Sequence, residues 1–179
     1  MNDNGITYVD GSIVGPTLGH GDTSPTTLFL SGDYAGEVEK YFTGGSLNTW
    51  ILGAETGLAS DMKMCDSVFN KGLLALLYET ISLAESFGLR PELMKAWSLN
   101  KDVVAHASVK NDRLNRSARK ADRFVGEMKE VADTLAACPA LPAAAATEAR
   151  DIYARLARFK PDGVPPSEAA IVAAILLSD

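Results

Sequence analysis

The spacing of apolar positions along this chain changes character once, after Gly53. Before it, short β-prone runs are separated by glycine, proline, serine and threonine, and Ile6 to Val9, Thr26 to Leu30 and Thr49 to Leu52 are predicted as strands. Between the last two, Asp33 to Phe42 has a polar start, Glu37 and Glu39 near its front and Gly44-Gly45 as a stop, which predicts a short helix. From Thr56 to Phe87 there is no proline, and Leu58, Met62, Cys65, Phe69, Leu73, Leu76 and Leu77 recur at three- and four-residue spacing, so this stretch reads as one long helix. Its apolar residues cover much of the circumference, as in a helix buried in a bundle or a dimer. Gly88 stops it and Pro91 opens the next helix, through Leu99. A further helix from Asn111 to Ala137 carries Leu114, Ala118, Ala121, Val125, Met128, Ala132 and Leu135 on one stripe. Pro139 and Pro142 break it, and Ala143 to Phe159 and Ser167 to Leu177, with Ser167 as N-cap, complete the set.

These elements make a mainly α fold: a helical bundle built on one long buried helix and preceded by a short βαβ unit. Residues 1–54 are expected to form the sheet-bearing part and residues 55–179 the helical part. Three strands are few for a sheet, which reads as cut short. With 46% hydrophobic and 22% charged residues, the chain has the composition of a soluble globular protein rather than a disordered one. The net charge of -6 has the wrong sign for broad attraction to nucleic acid or anionic lipid, so neither is an expected partner. Cys65 and Cys138 are the only cysteines, which excludes a disulfide framework and points to a reduced, intracellular setting. The first five residues lack the basic and apolar parts of a signal peptide, and no apolar run approaches about 18 residues; a cytoplasmic location is the expectation.

The most informative segment enters the long helix. Successive helical residues turn by about 100°, so Ser60, Ser67 and Asn70 fall within about 60° of Lys63 and make a polar stripe on an apolar helix. Gly57 and Ala59, a turn earlier, are small enough for a flat ligand to approach the backbone. A lysine in such a setting serves as a general acid or base when desolvation lowers its pKa. The alternative is a lysine whose stem packs on apolar neighbours while its head reaches solvent.

Gly57-x-Ala59-x-x-x-Lys63, between a strand ending at Leu52-Gly53 and a long helix, resembles the glycine-rich, lysine-bearing motif of β-hydroxyacid and 6-phosphogluconate dehydrogenases. The resemblance implies that Lys63 assists proton transfer at a substrate hydroxyl or carbonyl while hydride passes to or from NAD or NADP. It also implies that Gly57 and Ala59 lie against the cofactor, and that Ser67 and Asn70 contact a small hydroxyacid substrate. Where the family often carries asparagine one turn after the lysine, this chain has Asp66 and Ser67, with its asparagine at Asn70. Asp10-Gly11-Ser12-Ile13-Val14-Gly15-Pro16 is similar to the family's Asp-Ala-Pro-Val-Ser-Gly-Gly loop, which holds the substrate carboxylate. Asp10 and Gly15 match it, Ser12 replaces its proline and Val14 its serine, so Asp10, Gly11, Ser12 and Gly15 are expected near the substrate. The stretch from Arg119 to Ala132, with Tyr78-Glu79, resembles the phosphogluconate-dehydrogenase-like carboxy-terminal domains of the same family.

A complete enzyme of this type needs a Gly-x-Gly-x-x-Gly turn for the dinucleotide pyrophosphate, and the sequence contains none. The resemblance therefore implies the substrate and dimerisation half of the enzyme, with the βαβ unit as a remnant of a Rossmann-type domain. The chain alone is expected to bind no cofactor and to be inactive. An imine-reductase-like oxidoreductase shares this architecture but usually has aspartate or tyrosine at the place of Lys63; a noncatalytic helical dimerisation module is the other alternative. Either way, the apolar circumference of the long helix calls for a homodimer, with Leu73 to Phe87 of one copy on the helical part of the other. Lys110, Arg113, Arg116, Arg119, Lys120 and Arg123 form a basic run that suits either an anionic substrate group or a solvated helix face, diluted by Asp112 and Asp122. His20 and His106 have no partners at ligand spacing, so no metal is expected.

Overall fold

The structure, a computed structural model, describes residues 7–16, 25–100, 113–138 and 142–177. Ile6, His20, His106 and Lys110 lie outside the described residues. The chain divides into two compact units, Met1–Asp66 and Ser67–Asp179.

The first unit is built on a three-stranded sheet of order β1-β2-β3: β1 (Asp10–Val14) runs antiparallel to β2 (Thr27–Ser31), which pairs in parallel with β3 (Asn48–Gly53). The short helix α1 (Ala35–Glu39) lies between β2 and β3, within the span predicted for it. Leu28, Leu30 and Ala35 form the core, with Val9, Val38 and Leu47 packed against them, and Phe29 meets its cross-strand neighbour Trp50 edge-on at 5.6 Å.

One expectation is corrected here. Thr7 to Val9 are not a strand, and the segment from Asp10, read as a loop after a strand, is itself β1. The reason lies in its inverted alternation: Asp10 and Ser12 face inward while Gly11 and Ile13 face out, so the buried side of the strand is polar and carries no hydrophobic period.

Helix α2 (Leu58–Ser86) begins in the first unit and continues through the second. It closes with a Schellman turn: Gly88, at φ +67°, donates its amide to the Glu85 carbonyl at 2.9 Å, and Leu89 donates to Ala84 at 2.8 Å. The second unit adds α3 (Arg90–Leu99), α4 (Arg113–Ala118), α5 (Ala121–Ala136), α6 (Ala144–Leu156) and α7 (Glu168–Leu176). Ser167 caps α7 as expected, its hydroxyl accepting the Ala170 amide at 3.2 Å. The core of the unit is aromatic at its centre: Tyr153 meets Phe124 at 5.2 Å and Tyr78 at 6.3 Å, both edge-to-face, with Met128, Val131 and Leu156 around them.

Two further corrections concern the helices. The helix predicted from Asn111 to Ala137 is broken at Arg119-Lys120 into α4 and α5, and the break shifts the buried stripe of α5 to Ala121, Phe124, Met128 and Val131 rather than Val125, Ala132 and Leu135. On α2 the chain covers the face bearing Leu74, Leu77, Tyr78 and Ile81, whereas Phe69, Leu76 and Leu83 stay more than half exposed. The apolar residues of α2 thus divide into two faces, and among the described residues one is buried while the other stays largely exposed. Among the described residues, no helix is long and apolar enough to cross a membrane.

Candidate functional site

In the first unit, the residues expected around the substrate converge on the opening turn of α2. Asp10 is 5% exposed, and its carboxylate accepts the Ser60 amide at 2.9 Å, the Ser60 hydroxyl at 2.8 Å and the Ser31 hydroxyl at 3.3 Å. Ser31 in turn accepts the Ala59 amide at 3.1 Å. The Ser12 hydroxyl donates to the Ala59 carbonyl, the group that by helix geometry also accepts the amide of Lys63. Two of the amides that a helix leaves unpaired at its start are therefore satisfied by side chains from β1 and β2, 50 and 28 residues back in the chain. Burial by itself would raise the Asp10 carboxyl, but the amide and hydroxyl of Ser60, the hydroxyl of Ser31 and the amide of Ala59 outweigh it and hold the group below its ordinary 3.8. The carboxylate also lies where the helix dipole favours negative charge.

Lys63 follows one turn later. It is half-buried, and among the described residues it makes no hydrogen bond or ion pair. Its amino group is thus available on a turn whose backbone is held from three sides.

The two glycines of interest differ. At Gly15, φ is +123° and an added Cβ would come within 2.8 Å of the Pro25 carbonyl oxygen, so its conformation is dictated by packing against the start of β2. At Gly57, φ is +111° and an added Cβ would meet nothing within 4 Å, so the backbone presents an open flank. Ala59, by contrast, is fully buried. Gly11 sits outward on β1, where an added Cβ would come within 3.4 Å of the Leu30 side chain.

Ser67 and Asn70 belong to the second unit. Ser67 is buried and its hydroxyl accepts from Lys71 at 2.7 Å; the Asn70 side-chain oxygen accepts from Arg113 at 3.3 Å. Lys71 also pairs with Glu127 at 3.2 Å, Arg123 reaches the other oxygen of Glu127 at 3.2 Å, and the Tyr153 hydroxyl donates to the Lys71 carbonyl at 2.7 Å. Burial pushes the Tyr78 and Tyr153 phenols well above their ordinary 10, with the Arg113 charge acting against the rise in both. Sequence reasoning singled out neither Ser31 nor Tyr153. Ser31 carries no local signal because its partners lie far away in the chain, and Tyr153 reads only as another apolar position of α6. A small apolar pocket lined by Tyr78, Ile81, Leu114, Ile171, Val172 and the Arg90–Glu168 ion pair contains none of the site residues expected from sequence.

A dinucleotide pyrophosphate at the opening turn of α2 does not fit this geometry. A pyrophosphate needs free helix-start amides, and those of Ala59 and Ser60 are already bonded to Ser31 and Asp10. Among the described residues no group of histidine, cysteine, aspartate or glutamate is placed to hold a metal ion.

The fold matches that of solved structures. It is shared with the conserved protein MTH1747, described as being of unknown function with structural similarity to 3-hydroxyacid dehydrogenases, at 31% identity and a TM-score of 0.65 over 83% of this chain and 55% of that one. A conserved hypothetical protein from Sinorhizobium meliloti 1021 matches at 24% identity and a TM-score of 0.70, over 93% of this chain and 56% of that one. The chain therefore spans a little over half the length of these solved structures. No curated protein matches it. Residues 84–156 match DUF1932, a domain of unknown function. These findings accord with the dehydrogenase family that the sequence resembles.

Proposed function

We propose that this chain is the substrate side of an NAD(P)-dependent dehydrogenase acting on a small hydroxyacid or a related carbonyl compound, with Lys63 as its general acid and base. The observation that carries this reading is the Lys63 amino group, which makes no hydrogen bond or ion pair among the described residues, on a turn fixed by Asp10, Ser12 and Ser31. In the oxidation direction a lysine in its amine form takes the proton from the substrate hydroxyl as the C–H hydride leaves; in reduction the ammonium returns that proton to the carbonyl oxygen. Hydride acceptance is left to NAD or NADP held by another part of the enzyme. The open flank of Gly57 suits a flat ring against the backbone. Asp10 and Ser12 serve the site by holding its first turn.

The same enzyme is proposed to be a homodimer through α2. Phe69, Leu76 and Leu83 recur every seven residues on the uncovered face, the spacing that lets two helices run side by side, and a second copy offers the same row.

The test is Lys63→Met in the chain joined to a nucleotide-binding half. Turnover falls by about a hundredfold or more, the scale of a lost general acid or base, while the fold survives. Lys129→Met is the control, because Lys129 is exposed and pairs only with Asp133 on its own helix. Lys71 is unsuitable despite being the nearer lysine, since it is tied to Ser67 and Glu127. Equal losses at Lys63 and Lys129 overturn the assignment.

A further inference from the structure

Along the exposed side of α2, large apolar residues alternate with short or charged ones in a fixed order. Phe69, Leu76 and Leu83 are 63%, 58% and 54% exposed, and each lies two positions after a buried residue: Ser67, Leu74 and Ile81. Two positions turn a helix by about 200°, so the row stands opposite the buried face of the same helix. Three residues after each of the large ones, on the same side, come Gly72, Glu79 and Ser86. Glu79 and Ser86 are exposed, and a Cβ added at Gly72 would meet nothing within 4 Å. The exposed face is therefore a seven-residue repeat whose first position is large and apolar and whose fourth is short or charged.

We infer that this face is the seam of an antiparallel pair of α2 helices from two copies of the chain, the large residues of each copy seated against the short or charged residues of the other. The inference deepens the dimer proposed above and rests on it. Two copies can lie side by side in two senses, and the row distinguishes them. In a parallel pair like meets like. Phe69 then stands on Phe69 and Leu76 on Leu76, the two Gly72 positions leave a gap, and the two Glu79 carboxylates are driven together, which is destabilising. In an antiparallel pair centred between Gly72 and Leu76, the same residues interlock. Leu76 of each copy fills the space over Gly72 of the other, and Phe69 lies along the aliphatic stem of Glu79. The two Glu79 positions are then ten residues apart along the seam, about 15 Å at the rise of an α-helix. A closed dimer requires a surface that complements itself under a twofold rotation, and this row does so in the antiparallel sense alone.

The test is disulfide trapping in the full 179-residue chain, with Cys65→Ser and Cys138→Ser in the background so that only introduced thiols react. Variants carrying Phe69→Cys, Glu79→Cys or both are oxidised with copper phenanthroline and run on a non-reducing gel. The antiparallel seam gives at least about tenfold more cross-linked dimer in the double variant than in either single one, because a disulfide needs Cα atoms within about 7 Å and equivalent positions lie too far apart along the axis. Gly72→Cys with Leu76→Cys, the adjacent layer, supplies the comparison if loss of Phe69 dissociates the pair. Cross-linking in the single variants overturns the antiparallel seam in favour of a parallel one, and no cross-link in either double variant overturns it outright. Light scattering of the wild type separates the two readings: a monomer sinks the dimer itself, whereas a dimer with the wrong cross-link pattern sinks this inference alone.

Discussion

The carboxylate of Asp10, on the first strand, caps the helix that carries Lys63 by accepting both the amide and the hydroxyl of Ser60. Because this pairing holds the Asp10 carboxyl below 3.8, the folded state releases its proton more readily than the unfolded chain does. Its contribution to stability is therefore present above about pH 4 and is lost as pH falls through the depressed folded value. Asp10→Asn should cost about 1.5–3 kcal/mol near neutral pH, the range for a charged hydrogen-bonding group, and should flatten the acid limb. Urea denaturation of both proteins from pH 2 to 7 checks this; parallel curves would mean that Asp10 does not titrate with folding.

Two glycine substitutions should have opposite signs. Gly15→Ala forces a side chain into a left-handed backbone and against the Pro25 carbonyl, and should destabilise by more than about 1 kcal/mol. Gly72→Ala, in the middle of α2 with open space around the new methyl group, should stabilise by about 0.5–1 kcal/mol. Thermal melts of the two variants beside wild type decide it.

Tyr78 and Tyr153 are two of five tyrosines, and their buried phenols are pushed upward. Their folded-state contribution is complete below pH 10 and is lost as pH rises beyond it, so alkaline titration followed at the tyrosinate band should show two groups that ionise only with unfolding. Tyr153→Phe removes the bond to the Lys71 carbonyl, costs about 0.5–1.5 kcal/mol and leaves one such group.

The uncovered face of α2 supplies the prediction about assembly. Light scattering after size exclusion at micromolar concentration should give twice the 19.0 kDa of the chain for wild type. Replacing Phe69, Leu76 and Leu83 together by aspartate should give the chain mass, with the helical spectrum intact, because each of these side chains is more than half exposed in the single chain. A wild-type monomer would refute the dimer.

Much of this architecture was legible in the chain. Helix boundaries followed from periodicity and punctuation, and the Ser167 cap and the Gly88 stop fell where side-chain chemistry requires. Three features were not legible, each for a physical reason. The polar inner face of β1 hid a strand, since Asp10 and Ser12 break the hydrophobic alternation that marks one. The break at Arg119-Lys120 carries neither glycine nor proline, so nothing local announces it. Which apolar side of α2 is covered is decided by Leu114, Tyr153 and their neighbours, whose position relative to the helix is a tertiary fact. Within the site, Lys63 could be picked out by its stripe and its resemblance; Ser31 could not, because its role exists only once β2 has been laid beside the opening turn of α2.

The two ends of α2 are closed by bonds of very different reach. Its last turn is sealed by a bond between residues five positions apart, from Leu89 to Ala84, which can form as soon as the local chain turns back on itself. Its first turn waits for partners such as Asp10, fifty residues from Ser60, and so for the sheet to assemble around them. Contacts of long sequence separation are late events in folding, because the intervening chain must first be drawn in. The helix should therefore grow towards its amino terminus, and the turn presenting Lys63 should be among the last parts of the chain to set and among the first to loosen under mild denaturant. Pulse-labelled hydrogen exchange would then find the amides of Ala59 and Ser60 protected after those of Leu74 to Ile81, making the lysine's turn a gauge of whether the sheet beneath it is complete.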